Sequence, residues 1–200
     1  WISNRAMQLE RESGLRFVFG YEEALGYTVG TLVRDKDGIS AALVLATLAA
    51  ELHAKGETLL DELERIGQRF GYYQSSQRSL HFPGRGGSEQ MRTLMAELRQ
   101  SPPTTLGNLR VTAAVDVLEG IRRVGNTTAP IELPASDVLV FELEGGHRVV
   151  IRPSGTEPKV KIYVDVREPL AEGEGLAAAR PRAAARIAAL SSDVVARLGL

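Results

Sequence analysis

Val149-Val150-Ile151-Arg152-Pro153-Ser154-Gly155-Thr156-Glu157-Pro158-Lys159-Val160-Lys161-Ile162-Tyr163-Val164 is the stretch whose reading decides the fold. Its two ends are apolar runs with strand character, and its middle is a turn, so it reads as two β-strands joined by a loop. The loop gathers a guanidinium, two hydroxyls, a glycine and an ammonium. A phosphate dianion is held by that set: a planar fork for paired hydrogen bonds, hydroxyl donors, and backbone N–H groups exposed by a glycine-containing turn. The other reading is a surface turn with incidental charge, because turns favour Ser, Gly and Pro. Pro153 and Pro158 flanking a donor-dense centre point to a rigid anion-binding loop, with Arg152, Ser154, Gly155, Thr156 and Lys159 as its phosphate-binding candidates.

Outward from this loop the strand pattern continues. Val160, Ile162, Val164 and Val166 alternate with Lys159, Lys161, Tyr163 and Asp165, which gives one buried face and one wet face. Further strands are expected at about Leu109–Asp116, Val138–Glu142 and His147–Arg152, with Gly145-Gly146 as the hairpin turn between the last two. Met91, Leu94, Met95 and Leu98 mark a helical face that ends at Pro102 and Pro103. An alanine-rich helix over about Leu176–Leu198 is expected to cover the buried face, with Pro181 delaying its start. Residues 88–200 therefore read as an α+β two-layer domain, an antiparallel sheet with helices on one face.

Upstream, the pattern reads as part of an α/β domain over residues 1–77, joined by a glycine-rich linker at 78–87. A strand at Arg16–Gly20 leads into Gly20-Tyr21-Glu22-Glu23-Ala24-Leu25-Gly26-Tyr27. Glu22 and Glu23 read either as solvated charges on a turn or as hydrogen-bond acceptors for a polyol such as a sugar. Arg34-Asp35-Lys36-Asp37-Gly38 then precedes a long apolar helix, with Asp37 as its N-cap. Arg34 and Lys36 lie just before that helix N-terminus, a position favourable to anions. A second helix is expected over about Thr58–Phe70.

The glutamate segment followed by Arg34-Asp35-Lys36-Asp37-Gly38 and its helix resembles the sugar-binding third domain of the α-D-phosphohexomutases, the phosphoglucomutase/phosphomannomutase family. The Arg152–Tyr163 segment resembles the phosphate-binding loop of their fourth domain, whose layout is TATA-binding-protein-like. The resemblance runs from Trp1 to about Glu168 and implies the C-terminal part of a mutase that interconverts hexose 1-phosphate and 6-phosphate through a bisphosphate intermediate. It implies that Glu22, Glu23, Arg34 and Lys36 bind substrate and that the Arg152 loop holds the phosphate not being transferred. In many relatives a serine stands two residues after the first glutamate, where this chain has Ala24. The reaction there also uses a phosphoserine loop, Mg²⁺ on an aspartate-rich loop, and a sugar bisphosphate activator. Neither loop pattern occurs in this sequence, so the metal site is expected outside this chain, in further domains of the same polypeptide, and the 200 residues alone are expected to be inactive. The alternative is a non-catalytic sugar-phosphate-binding or regulatory module of the same fold.

Composition narrows the remaining classes. A net charge of −1 gives no global attraction to nucleic acid or acidic membranes. There is no cysteine, which removes disulfides and thiolate metal sites. His53, His81 and His147 lack metal-ligand spacing, and no Gly-x-Ser-x-Gly elbow is present. The apolar run Ile39–Leu52 is too short for a membrane span. The expected setting is cytoplasmic, with a phosphorylated sugar as partner and neither nucleic acid nor membrane.

Overall fold

The computed structural model describes residues 2–22, 25–84 and 86–198. The chain divides into two compact units, Trp1–Leu63 and Glu64–Leu200.

The first unit opens with helix α1 (Ile2–Ser13). Strands β1 (Phe19–Glu22) and β2 (Gly26–Val29) form a short antiparallel hairpin in which Glu22 faces Gly26. The expected strand at Arg16–Gly20 is thus displaced toward the glutamates, and Glu22 ends a strand instead of lying in a loop. Glu23 and Ala24 lie outside the described residues. Helix α2 (Gly38–Ala54) begins as expected at Asp37, whose carboxylate accepts the N–H groups of Ile39 and Ser40, each at 3.1 Å. Helix α3 (Leu59–Phe70) carries the chain into the second unit. It starts with a reciprocal cap: the Thr58 N–H donates to Asp61 Oδ2 at 2.7 Å, and the Asp61 N–H donates to Thr58 Oγ1 at 3.3 Å.

The second unit is built on one antiparallel sheet with strand order β3-β10-β9-β8-β5-β6-β7. Its strands are β3 (Tyr72–His81), β5 (Leu109–Asp116), β6 (Ile121–Val124), β7 (Thr127–Pro130), β8 (Leu139–Leu143), β9 (His147–Pro153) and β10 (Lys159–Glu168). A two-residue strand, β4 (Thr105–Leu106), pairs with β5. The β8–β9 turn follows the sequence expectation, with Gly145 and Gly146 at φ 80° and 81°, a conformation that side chains with a Cβ rarely adopt. Helices α4 (Gly87–Gln100) and α5 (Leu176–Arg197) supply the apolar layer. Val160, Ile162, Val164 and Val166 of β10 are all at most 1 % exposed and join Met95 of α4 and Leu190 of α5 in one core. Each buried aliphatic side chain contributes about 1.5–3 kcal/mol. The alternate residues of β10 lie on the open face, as their half-exposure requires.

Two expectations need correction. Residues 78–81 are not linker. They end β3, which pairs antiparallel with β10 from Tyr72↔Glu168 to His81↔Lys159, so the second unit begins before residue 88. The glycine-rich signal that suggested a linker starts only at Gly84, beyond the strand. Pro181 does not delay α5, which starts at Leu176 with Pro181 inside it. The start is held from outside the helix, where the Glu64 carboxylate accepts the Leu176 N–H at 2.9 Å. Pro181 has no N–H to donate to the Ala177 carbonyl, so the helix forgoes one backbone bond there.

Candidate functional sites for sugar and phosphate

In the first unit the segment before α2 is fastened to the hairpin. The Asp37 N–H donates to the Tyr27 carbonyl at 2.7 Å, and the buried Thr28 hydroxyl donates to the Asp35 carbonyl at 3.2 Å. This places Lys36 beside the turn end of the hairpin, at the Glu22–Gly26 pair. Its Nζ stands 4.0 Å from Glu22 Oε1 and donates to Asp35 Oδ1 at 3.2 Å. The lysine stem runs across Gly26, where a Cβ would come within 2.4 Å of Lys36 Cδ. The ammonium's pKa is raised, first by the hydrogen bond to Asp35, then by the charges of Asp35 and Glu22.

Glu22 and Lys36 are therefore brought together. Arg34 is not part of that group. Its Nη2 pairs with Glu10 Oε2 of α1 at 2.8 Å, while its Nη1 is buried without a hydrogen-bond partner among the described residues. The Arg34 hydrogen bond is the main reason the Glu10 carboxyl is held below its ordinary range, with the Phe17 N–H second. The N-terminus of α2 is also less open to an anion than its position suggested. Asp37 already takes two of the free N–H groups and brings its own negative charge.

In the second unit the β9–β10 loop is closed by its backbone. The Ser154 N–H donates to the Lys159 carbonyl at 2.8 Å, and the Lys159 N–H donates to the Glu157 carbonyl at 2.7 Å. The Phe82 N–H reaches the Pro158 carbonyl at 2.8 Å, tying the loop to the end of β3. Arg152 is exposed, and neither its guanidinium nor the Ser154 and Thr156 hydroxyls bond to any described residue. A Cβ on Gly155 would meet nothing within 4 Å, and its φ is not in the left-handed region. The fold does not need glycine there. What the glycine leaves is open space over the loop.

Lys159 differs from the other loop candidates. Its ammonium is paired with the Glu157 carboxylate of the same loop. That hydrogen bond is the first cause of the lowered Glu157 pKa, and the Lys159 charge is the second. Sequence spacing does not show this partnership, because Glu157 lies in the turn before β10, where the strand alternation of side chains does not apply.

No group of three or more His, Asp or Glu side chains positioned to hold a metal ion occurs among the described residues. Asp35 is bonded to Lys36, and both Asp37 oxygens are committed to the helix cap, so these carboxylates do not fit Mg²⁺.

Two domain models of one family match the chain in order. "Phosphoglucomutase/phosphomannomutase, alpha/beta/alpha domain III" matches residues 2–66, and "Phosphoglucomutase/phosphomannomutase, C-terminal domain" matches residues 106–197.

The chain belongs to the phosphoglucomutase/phosphomannomutase family.

Among its relatives in that family, a probable phosphomannomutase of Haemophilus influenzae is 42% identical over 156 residues, which is 78% of this chain and 29% of the relative. A probable phosphoribomutase of Schizosaccharomyces pombe is 36% identical over 84% of this chain and 29% of its own length. A phosphoglucomutase of Staphylococcus aureus is 33% identical, over 84% of this chain and 30% of its own. The chain thus spans about 30% of the length of these relatives. The open form of parafusin, a phosphoglucomutase from Paramecium, shares the fold with a TM-score of 0.58 at 18% identity, over 98% of this chain and 32% of that one.

Proposed function

We propose that this chain supplies the sugar-binding and phosphate-binding elements of a phosphohexomutase, an isomerase that moves a phosphoryl group between O1 and O6 of a hexose through a bisphosphate. The observation that carries this reading is the Arg152–Thr156 segment: a guanidinium and two hydroxyls without partners among the described residues, beside an open glycine, at a backbone-closed turn. Phosphoryl transfer is mostly positioning and charge stabilisation, so a loop that grips the phosphate not being transferred contributes directly to it.

The division of labour follows from chemistry. Arg152 offers two parallel N–H donors to phosphate oxygens, and Ser154, Gly155 and Thr156 add hydroxyl and backbone donors. Lys159 joins once Glu157 yields it. Glu22 accepts hydroxyls of the sugar, with the Lys36 ammonium adding positive charge beside it. Glu23 and Ala24, outside the described residues, belong to the same sugar segment. Arg34, paired with Glu10, positions the strand-to-helix connection. Mg²⁺ neutralises phosphate charge in such reactions, and in this reading its ligands, the phosphoserine and the sugar bisphosphate activator belong with further domains of the polypeptide. The relatives are named as mutases, which favours this over a non-catalytic binding module. The cytoplasmic setting expected from composition goes with it.

The test is a calorimetric comparison of glucose 6-phosphate with glucose on the chain. Binding that depends on the phosphate group supports the proposal. Equal binding of both sugars overturns it.

A further inference from the structure

His81 ends β3 directly across from the loop's own lysine. It is the register partner of Lys159 of β10, and the Phe82 N–H just beyond it bonds the Pro158 carbonyl at 2.8 Å. Leu80 and Phe82 on either side of His81 are buried on the helix side, so His81 lies on the open face, where it is exposed. Directly opposed residues have Cβ atoms about 4.5–5.5 Å apart, and diagonal neighbours are about 7–8 Å apart, within reach of long side chains.

The imidazole therefore stands beside the ion pair of Lys159 and Glu157. The ammonium takes Glu157 Oε2, and Glu157 Oε1 has no hydrogen-bond partner among the described residues. The charges of His81 and Lys161 follow Lys159 among the causes of the lowered Glu157 pKa. Around the ring, Lys159 lies directly across and Lys161 diagonally on β10, and Glu157 lies on the loop. Ser79, the next β3 residue on that face, is uncharged, and α4 and α5 pack on the other face. Arg85 lies outside the described residues.

A neutral imidazole leaves Glu157 to the lysine. An imidazolium opposite an ammonium is a like-charged pair, which destabilises a sheet unless a carboxylate is shared between them. The unused Glu157 oxygen is the acceptor for that second cation. One carboxylate shared by two cations holds each of them less tightly.

We infer that His81 is a pH-dependent positioning residue for the phosphate loop: its imidazolium shares the Glu157 carboxylate and so frees the Lys159 ammonium for the phosphate. The inference rests on the assignment of the Arg152 loop to phosphate and adds regulation to it. Position 81 falls between the two matched family segments, residues 2–66 and 106–197. Histidine is the side chain that changes charge between about pH 5 and 8, so the loop becomes a stronger anion site as pH falls through that range. The Glu157 carboxyl, held below its ordinary value, stays ionised there.

The experiment measures sulfate affinity of the chain by calorimetry at about pH 8 and about pH 5.5. Sulfate remains a dianion throughout, whereas phosphate esters titrate within this range. The parent is expected to bind about threefold more tightly at the lower pH, the scale of an exposed ion pair. His81→Gln is expected to lose that rise. His81→Lys, charged at both values, is expected to bind at both as the parent does at the lower one. Glu157→Gln is expected to bind tightly at both, because its lysine is already free. A parent without the rise overturns the inference. So does a rise that survives His81→Gln, which would belong to His53 or His147, or one that survives Glu157→Gln, which would mean that His81 acts on the anion directly. If Arg152→Ala weakens sulfate while any of these occurs, the loop assignment stands and only this inference falls. If Arg152→Ala leaves sulfate binding unchanged, the loop assignment falls as well. Should His81→Gln not fold, His81→Lys decides: a rise retained in it overturns the inference.

Discussion

Lys36 Nζ reaches to 4.0 Å from Glu22 Oε1, and its path there crosses Gly26, a hairpin position that has no side chain. Gly26 is buried, and its φ is one that any residue can adopt. Its role is therefore spatial. It leaves room for the lysine stem, and the stem brings an ammonium beside the carboxylate assigned to sugar hydroxyls.

Gly26→Ala puts a Cβ 2.4 Å from Lys36 Cδ and must displace that side chain. A flexible stem can move, so the fold should lose only about 1 kcal/mol, at the low end of overpacking effects. Binding of glucose 6-phosphate should fall more than stability does. Calorimetry and thermal melts on the same variant check this; a large drop in melting temperature with unchanged affinity would assign Gly26 to packing alone.

Arg152→Ala should weaken phosphosugar binding by about 1.5–3 kcal/mol, the range for a hydrogen bond to a charged group. Arg152→Lys should recover only part, since an ammonium lacks the planar fork. The side chain is exposed and has no partner among the described residues, so melting temperature should stay the same.

Glu157→Gln removes the carboxylate that occupies Lys159 and should tighten inorganic phosphate binding. The same release should occur on acidification. The Glu157 carboxyl titrates below its ordinary value of 4.5, so Lys159 stays engaged at neutral pH and is freed as pH falls through the lowered value. Its contribution to stability has the matching sign: present above the ordinary value and lost as pH falls through the folded one. The check is phosphate affinity of parent and variant at neutral pH, where the parent should bind more weakly; the reverse order would show that Glu157 helps hold the ligand.

Asp116 is 1 % exposed and accepts from Arg99 Nε at 2.8 Å and from the N–H groups of Leu118 and Glu119. Arg99→Leu strands that carboxylate and also releases Asp137, so it should destabilise the second unit by about 3 kcal/mol. Denaturant melts of the two proteins give the number directly.

The sheet's centre was legible because β10 alternates strictly between valine or isoleucine and polar residues, which only a strand buried on one face does. The edges were not. Tyr72–His81 reads Tyr-Tyr-Gln-Ser-Ser-Gln-Arg-Ser-Leu-His, with Leu80 its one fully buried residue, because an edge strand needs little apolar surface and takes its order from the ten-residue ladder with β10. The β6–β7 hairpin was hidden for the same reason: its residues are mostly half or fully exposed. At the sites, residue types were readable and their commitments were not. Nothing in the spacing of Glu10 and Arg34 announces an ion pair across the first unit, and nothing in Thr156-Glu157-Pro158-Lys159 announces that the loop neutralises its own lysine. Register made the pairing of His81 with Lys159 visible, and register depends on both strands at once.

Backbone amide resonances of the chain, followed during two titrations, test the assignment of the Arg152 loop to phosphate. Inorganic phosphate should shift Ser154, Gly155 and Thr156 and leave Glu22 and Gly26 in place. Glucose 6-phosphate should shift the Ser154–Thr156 group at lower concentration and shift the Glu22 hairpin as well. Shifts confined to the hairpin with either ligand, or none at Ser154–Thr156, would contradict the assignment of the Arg152 loop to phosphate.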